Sequence, residues 1–337
     1  MKAIQQRKYG KPLKVLEIRY TPIPTPTPLE VLIKVHCAAL NPIDIKIAQG
    51  KLKAILPLKL PAKVGFDVSG VIEQVGCEVS DFEVGDKVFC RLPLHQGGAF
   101  SDYVCANENH IALIPNISFE EAASLPLVGL TVIQALYNRT KTGMKILIHG
   151  GSGGVGSFAV QYAKKYLNLE VTATASKRSV PFVKSLGADS VIAYDEENYL
   201  KTSDKYDVVF DTLGGIHTLN SFRILKKNGT VVSIGGPPDL KFVWSLNTNI
   251  LHKIILFPLL TLSSLHIYLI ALFKNAKYYR FLTKSNRSQL EVIKKIVDDG
   301  YIIPVVDKIF PFEEYQNAFK HLINGKPKGK VILKVRE

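Results

Sequence analysis

A chain of 337 residues with 47% apolar and 21% charged side chains can bury a sizeable core, which excludes a disordered protein and suggests two domains. The formal net charge is +14 and the isoelectric point about 9.4, a balance that favours anionic partners such as phosphorylated cofactors, nucleic acid or an anionic membrane surface. The basic residues are scattered rather than gathered into one arm, so nucleic acid is not expected as a partner.

Cysteines stand at Cys37, Cys77, Cys90 and Cys105 with no C-x-x-C pair, which reads as free thiols in a reducing, cytoplasmic setting without a structural zinc knot. The opening residues lack the long apolar core of a secretory signal.

The first third reads as β-rich. Short β-branched runs at 31–35 and 69–75 are bounded by Gly and Pro. The Pro-rich stretch 21–28 is a surface connection, because proline removes donors and fixes φ. A turn at 82–88 feeds a strand, and Gly97 and Gly98 introduce another at 99–104. A helix begins at Phe119, with Ser118 as N-cap and Glu121 at capping-box spacing. From Lys145 strand and helix alternate. Strands are expected at 145–149, 170–175, 190–193, 206–211 and 229–234, with helices at 155–166, 179–186 and 216–225. That alternation implies right-handed crossovers and a parallel sheet. A helix at 289–298, a strand at 302–307, a helix near 313–323 and a strand at 330–335 close the chain.

Five glycines fall within the seven residues from Gly150 to Gly156, between an apolar strand and an amphipathic helix. Gly151-x-Gly153-x-x-Gly156 fits the dinucleotide fingerprint, and its context is right on both sides. Gly151 permits a tight turn, Gly153 lets backbone N–H groups approach a pyrophosphate, and Gly156 lets helix and strand pack closely. With Ser152, Gly154 and Val155 these residues present a helix N-terminus to the anion.

An NAD site usually carries Asp or Glu at the end of the second strand. Here Ser176, Lys177 and Arg178 follow that strand, and Arg can grip a 2′-phosphate bidentately, so NADPH is expected. The loops 211–215 and 233–237 follow strands and are expected to border the ribose and nicotinamide. Tyr194, Thr212, Gly235 and Lys330 complete the expected cofactor set.

Segments at 41–46, 64–71, 84–88, 98–103, 150–156, 186–189 and 329–331 resemble, in order and nearly end to end, the medium-chain dehydrogenase/reductases of the zinc-free, zeta-crystallin-like quinone oxidoreductase branch. The resemblance implies an α/β protein with a GroES-like β domain over 1–120, a doubly wound Rossmann domain over 121–285 and a return to the first domain over 286–337. The catalytic cleft would lie between them, and a homodimer is expected. Zinc-dependent relatives have Cys where this chain has Asn41 and His where it has Phe66, and neither Asn nor Phe is a credible zinc ligand.

The implied reaction is hydride transfer from NADPH to a quinone or to the activated C=C of an α,β-unsaturated carbonyl. A donor should stabilise the charge developing on the acceptor oxygen. Lys46 and Asn41 are the candidates, Asp44 could orient either, and Phe66 is expected to wall the pocket or join the core. Alternatives are a zinc-independent alcohol dehydrogenase and a non-catalytic NADPH-binding protein at a membrane surface.

Residues 254–273 contain no Asp, Glu, Lys or Arg and match the length of a membrane span of about 20 residues. Three readings are open: a transmembrane helix, a hydrophobic cover or subunit interface, and a segment dipping into a membrane surface with basic flanks on anionic headgroups.

Overall fold

A computed structural model describes residues 1–238 and 250–336, apart from several side chains between 251 and 263. The chain divides into two compact units, Met1–Leu130 with Lys284–Glu337, and Thr131–Thr283.

The first unit opens with β1 (Lys2–Gln6), β2 (Leu16–Tyr20), β3 (Glu30–Leu40), β4 (Ala62–Lys63), β5 (Asp67–Val75), β6 (Lys87–Arg91), β7 (Tyr103–Asn107) and β8 (Ile111–Leu113). β3 buries Val31, Leu32, Ile33 and Val35 and then Cys37 to Leu40, a run too apolar for an edge and therefore central in its sheet. It pairs antiparallel with β5, which in turn pairs with β6. The register sets Asp67, the first residue of β5, opposite both Ala39 and Arg91. Strand ends from three parts of the sequence thus meet at one place, a point used below.

Asn107 ends β7 later than expected because Ser101 forms a turn: its hydroxyl donates to Gly98 O at 2.7 Å and Tyr103 O at 2.8 Å, leaving an isolated bridge from Ser101 to Ala3 before the strand begins. The capping box at Ser118 forms as read, with Glu121 N–H donating to Ser118 Oγ at 3.2 Å and Ser118 N–H to Glu121 Oε2 at 3.0 Å.

The second unit holds β9 (Lys145–Ile148), β10 (Glu170–Ala175), β11 (Ser190–Ala193), β12 (Tyr206–Asp211), β13 (Leu225–Ser233) and β14 (Lys277–Arg280). All pairings are parallel in the order β11-β10-β9-β12-β13-β14, the doubly wound order whose carboxyl ends form a ligand crevice. Ile146, Leu147 and Ile148 are fully buried, as a central parallel strand covered on both faces requires. Lys277-Tyr-Tyr-Arg280 was not foreseen as a strand; four residues behind a long apolar run give no period to read.

The apolar segment lies in the helix Ile250–Phe273, between β13 and β14. Ser264, Ile267 and Ala271 lie on its buried face, and Ile267 and Ala271 share a core with Leu147, Val231 and Tyr278. Among the described residues no helix is long and apolar enough to cross a membrane, and the packing of this face onto the sheet shows why the transmembrane reading is not needed. The opposite face is largely apolar as well: Leu262, Leu265, Leu269, Leu272 and Phe273 are all exposed, Phe273 by 85%, with His266 exposed among them.

The chain then returns to the first unit through the helix Arg287–Asp298, β15 (Val306–Pro311), the helix Tyr315–Asn324 and β16 (Lys330–Lys334). β15 starts later than expected, after Pro304, which cannot donate to a ladder. β16 pairs antiparallel with β3, Val331 opposite Leu40, so Lys330 arrives beside Asn41.

Candidate functional site

Two constellations of polar groups stand out, one in each unit. In the second unit, β9 ends at Ile148 and the chain turns through His149 and the five glycines into the helix Gly154–Gln161. Gly153 is its N-cap and offers no side-chain cap, so the first N–H groups of the helix are left to a ligand or water. A side chain at Gly156 would put its Cβ 2.0 Å from Gly150 O, which is why only glycine lets the helix start this close to the strand. Ser152, Gly153, Gly154 and Val155 are partly open, while Gly151 and Gly156 are buried beneath them.

The neighbouring loops are tied to this turn. Thr212 Oγ1 donates to His149 O at 2.6 Å. Asp211, fully buried at the end of β12, accepts from the N–H groups of Leu213 and Gly214 at 3.0 and 2.9 Å and from the hydroxyls of Thr218 and Ser233 at 2.5 and 2.8 Å. Ser233 Oγ in turn accepts from Gly235 and Gly236 N–H at 3.2 and 2.7 Å. A buried carboxylate with four donors is well compensated and fixes the carboxyl ends of β12 and β13 together. His149 is fully buried with Nε2 unpartnered, beside the rings of Tyr199 and His217, and burial holds its imidazole down at about 4, so it is neutral.

At the next strand ends Ser176, Lys177 and Arg178 follow β10, with both cations exposed. Tyr194 follows β11 with 49% of its surface exposed, its N–H donating to Ala175 O at 3.0 Å. Lys177 forms an ion pair with Glu196, and its N–H donates to Asp195 Oδ1 at 2.8 Å. Bare backbone N–H groups at a helix start, with two cations one strand away, suit a dinucleotide carrying an additional phosphate.

In the first unit, the strand ends described above bring Asn41, Asp44, Asp67, Arg91 and Lys330 into one buried cluster. Lys330 Nζ donates to Asn41 Oδ1 at 2.5 Å and Asp67 Oδ2 at 3.1 Å. Asn41 Nδ2 donates to Asp67 Oδ2 at 2.9 Å and Ala39 O at 3.3 Å, while its backbone N–H donates to Asp44 Oδ2 at 2.7 Å. Asp67 Oδ1 accepts from Leu127 N–H at 3.0 Å, and Arg91 Nη1 donates to Ser285 Oγ at 3.2 Å. Burial, aided by Asp67, pushes the Asp44 carboxyl up to about 7 against the pull of Asn41 N–H, Lys330 and Arg91, and burial brings Arg91 down to about 10.

Both amide hydrogens of Asn41 are therefore engaged inside the protein, and the N–H that the sequence reading offered to the substrate is given to Asp67 and Ala39. Lys330, grouped in that reading with the cofactor residues, has its ammonium in this cluster. Lys46 lies apart on the exposed side of the short helix Pro42–Ala48, whose N-terminus Asn41 and Asp44 cap. Phe66 is 4% exposed within the hydrophobic core of the unit. Cys37 is a buried free thiol that burial pushes up to about 12, packed as a small core hydrophobe.

Sequence reasoning overlooked Asp67 and Arg91, and it placed Asp211 and Ser233 in loops bordering the coenzyme without the hydrogen bonds by which they tie those loops together. Their signal was positional, a polar residue at the last or first place of an apolar strand, and it carries meaning only once the strands are aligned.

Known proteins agree with this architecture. The alcohol dehydrogenase GroES-like domain matches residues 27–116, and the zinc-binding dehydrogenase model matches residues 186–333. The chloroplast envelope quinone oxidoreductase homolog of Arabidopsis thaliana is 35% identical over 345 residues, covering 99% of this chain and 98% of its own. The NADPH-dependent alkenal/one oxidoreductase of the same plant is 35% identical over 319 residues, covering 90% of this chain and 72% of its own. The quinone oxidoreductase structure from Coxiella burnetii superposes with a TM-score of 0.85 at 35% identity, covering 100% of this chain and 99% of that one. Among the described residues no group of three His, Cys, Asp or Glu side chains is arranged to hold a metal ion.

Proposed function

The chain belongs to the zinc-free quinone oxidoreductase branch of the medium-chain dehydrogenase/reductase superfamily, and on that premise we propose that it reduces quinones or the activated C=C of α,β-unsaturated carbonyls with NADPH. The observation that carries the cofactor is the glycine turn with its uncapped helix start and the cations Lys177 and Arg178 after the next strand. When bound, NADPH supplies the hydride; the chain supplies orientation and field. The N–H groups of residues 154 and 155 hold the pyrophosphate, Lys177 and Arg178 the 2′-phosphate, and the loops tied by Asp211 the ribose and nicotinamide.

Lys46 is our candidate to meet the negative charge that develops on the acceptor oxygen, as the exposed cation of the helix that Asn41 and Asp44 cap. Asn41 and Asp44 are then positioning residues. Zinc independence is part of the proposal: the residues where zinc-dependent relatives carry ligands are an amide engaged with Asp67 and a core phenylalanine.

The test is NADPH oxidation followed at 340 nm against a panel of quinones and enals, with zinc analysis of the purified protein. Turnover with these acceptors and none with a primary alcohol plus NADP⁺ is expected. The reverse pattern would favour the alcohol dehydrogenase alternative, and NADPH binding without turnover would favour a non-catalytic role. Lys46→Gln should lower kcat while leaving NADPH affinity unchanged.

A second observation favours peripheral membrane contact. The exposed face of the helix Ile250–Phe273 is apolar, and the exposed cations Lys274 and Lys277 follow it in a chain of net charge +14. We read this face as resting on an anionic membrane surface, with a cytoplasmic location and a homodimer as the remaining expectations. Co-sedimentation with vesicles containing phosphatidylserine, absent with pure phosphatidylcholine and lost in Leu265→Asp/Leu269→Asp, would bear it out. Equal recovery from both vesicle types would overturn it, and a variant that stays on the membrane but changes from dimer to monomer would make the face a subunit interface.

A further inference from the structure

The cations expected to grip the coenzyme's extra phosphate are not left open to solvent alone. After β11 the chain runs through Tyr194, Asp195 and Glu196 back to the turn that follows β10. Three contacts fasten the two loops: Tyr194 N–H donates to Ala175 O at 3.0 Å, Lys177 N–H donates to Asp195 Oδ1 at 2.8 Å, and the Glu196 carboxylate pairs with the Lys177 ammonium. The first two involve backbone and fix the shape of the turn. The third joins two side chains that are 71% and 50% exposed, an ion pair that opens at little cost. One strand end thus carries a carboxylate already seated on the cation that a 2′-phosphate would need.

We propose that Glu196 is a specificity-tuning residue, a built-in anion that occupies Lys177 in the coenzyme-free protein and that the 2′-phosphate of NADPH must displace. This rests on the seating of the coenzyme at the glycine turn. The exchange makes and breaks no covalent bond: one anion leaves Lys177 as another arrives. NADH has a hydroxyl in place of that phosphate and does not compete for the ammonium. Glu196 therefore lowers affinity for NADPH selectively, narrowing the preference that Lys177 and Arg178 establish. Asp195 acts differently: it holds the backbone of Lys177 and leaves the ammonium free to change partners.

The experiment is calorimetric titration of NADPH and of NADH into the full chain as wild type, Glu196→Gln, Lys177→Ala and the double variant, with thermal unfolding to confirm that each is folded. Glu196→Gln should tighten NADPH about three- to fivefold, the scale of one exposed ion pair, and leave NADH unchanged. The gain should shrink as salt is raised and vanish on the Lys177→Ala background. An unchanged or weaker NADPH affinity in Glu196→Gln would overturn the proposal, as would an equal gain for both coenzymes or a gain that survives without Lys177. Weaker NADH binding in Glu196→Gln would instead make the carboxylate a ribose 2′-OH acceptor. A wild-type chain that binds neither coenzyme would overturn the seat itself, an outcome distinct from loss of the tuning role alone.

Discussion

The two polar constellations are built on opposite plans. In the first unit, Asn41, Asp67 and Lys330 satisfy one another and are closed to solvent, with Asn41 and Lys330 5% or less exposed. In the second, the polar groups at the glycine turn are main-chain N–H groups without a side-chain cap, and the cations beside them are exposed. Polar groups that partner one another inside the protein hold a fold; a helix terminus without a side-chain cap is open to a ligand. The contrast teaches that the residues most conspicuous by burial and charge, those around Asp67, are engaged with one another, while the groups left for the proposed coenzyme are the glycine turn and the exposed cations Lys177 and Arg178.

The largest break in that contrast should come from Lys330→Met. It leaves the Asp67 carboxylate buried without its cation, and denaturant unfolding should show a loss of about 3–5 kcal/mol with NADPH affinity unchanged. Were Lys330 instead a coenzyme ligand, affinity would fall and stability would change little.

Next come two titrations of opposite sign. The His149 imidazole is held below its ordinary value, so the unfolded chain binds the additional proton; stability is intact above about 6.5 and is lost as pH falls toward about 4. The Asp44 carboxyl is held above its ordinary value, so the folded chain binds the additional proton; stability is greatest near pH 4 and declines as pH rises through about 7. Each is worth on the order of 3 kcal/mol. The two windows overlap and their slopes oppose each other, so they largely cancel in the wild type between about pH 4 and 6.5; unfolding midpoints across that range should fall with rising pH in His149→Gln and climb with rising pH in Asp44→Asn.

Gly156→Ala should weaken NADPH by about two orders of magnitude, since its Cβ falls 2.0 Å from Gly150 O and displaces the helix start. The smallest effect is expected from Ser118→Ala, which removes one half of a capping box on the short helix Phe119–Ala123 and should lower stability by about 1 kcal/mol with no change in coenzyme affinity.

Much of this was legible in the chain. The alternation from Lys145 onward marked the strands β9 to β13, and the glycine spacing marked the turn, because both depend on local period and local sterics. The capping box at Ser118 was likewise local. What escaped depended on register. Asp67, Arg91 and Lys330 lie far apart in sequence and meet only because β5, β6 and β16 align on one sheet. Glu196 escaped for a similar reason, since its partner Lys177 belongs to the preceding strand end. The helix Ile250–Phe273 was ambiguous because large apolar residues stand on both its buried and its exposed sides, and the few polar ones, such as Thr261, Ser264 and His266, mark no consistent face.

The account depends most on the pairing of a phosphate with two cations beside a glycine turn. Its most direct test is the dissociation constant of NADPH and of NADH for the wild type and for Lys177→Ala/Arg178→Ala. The prediction is that the double substitution weakens NADPH at least about tenfold and NADH less than about twofold, the loss of a charge-assisted phosphate clamp. Equal weakening of both coenzymes, or tighter binding of NADH than NADPH by the wild type, would contradict it.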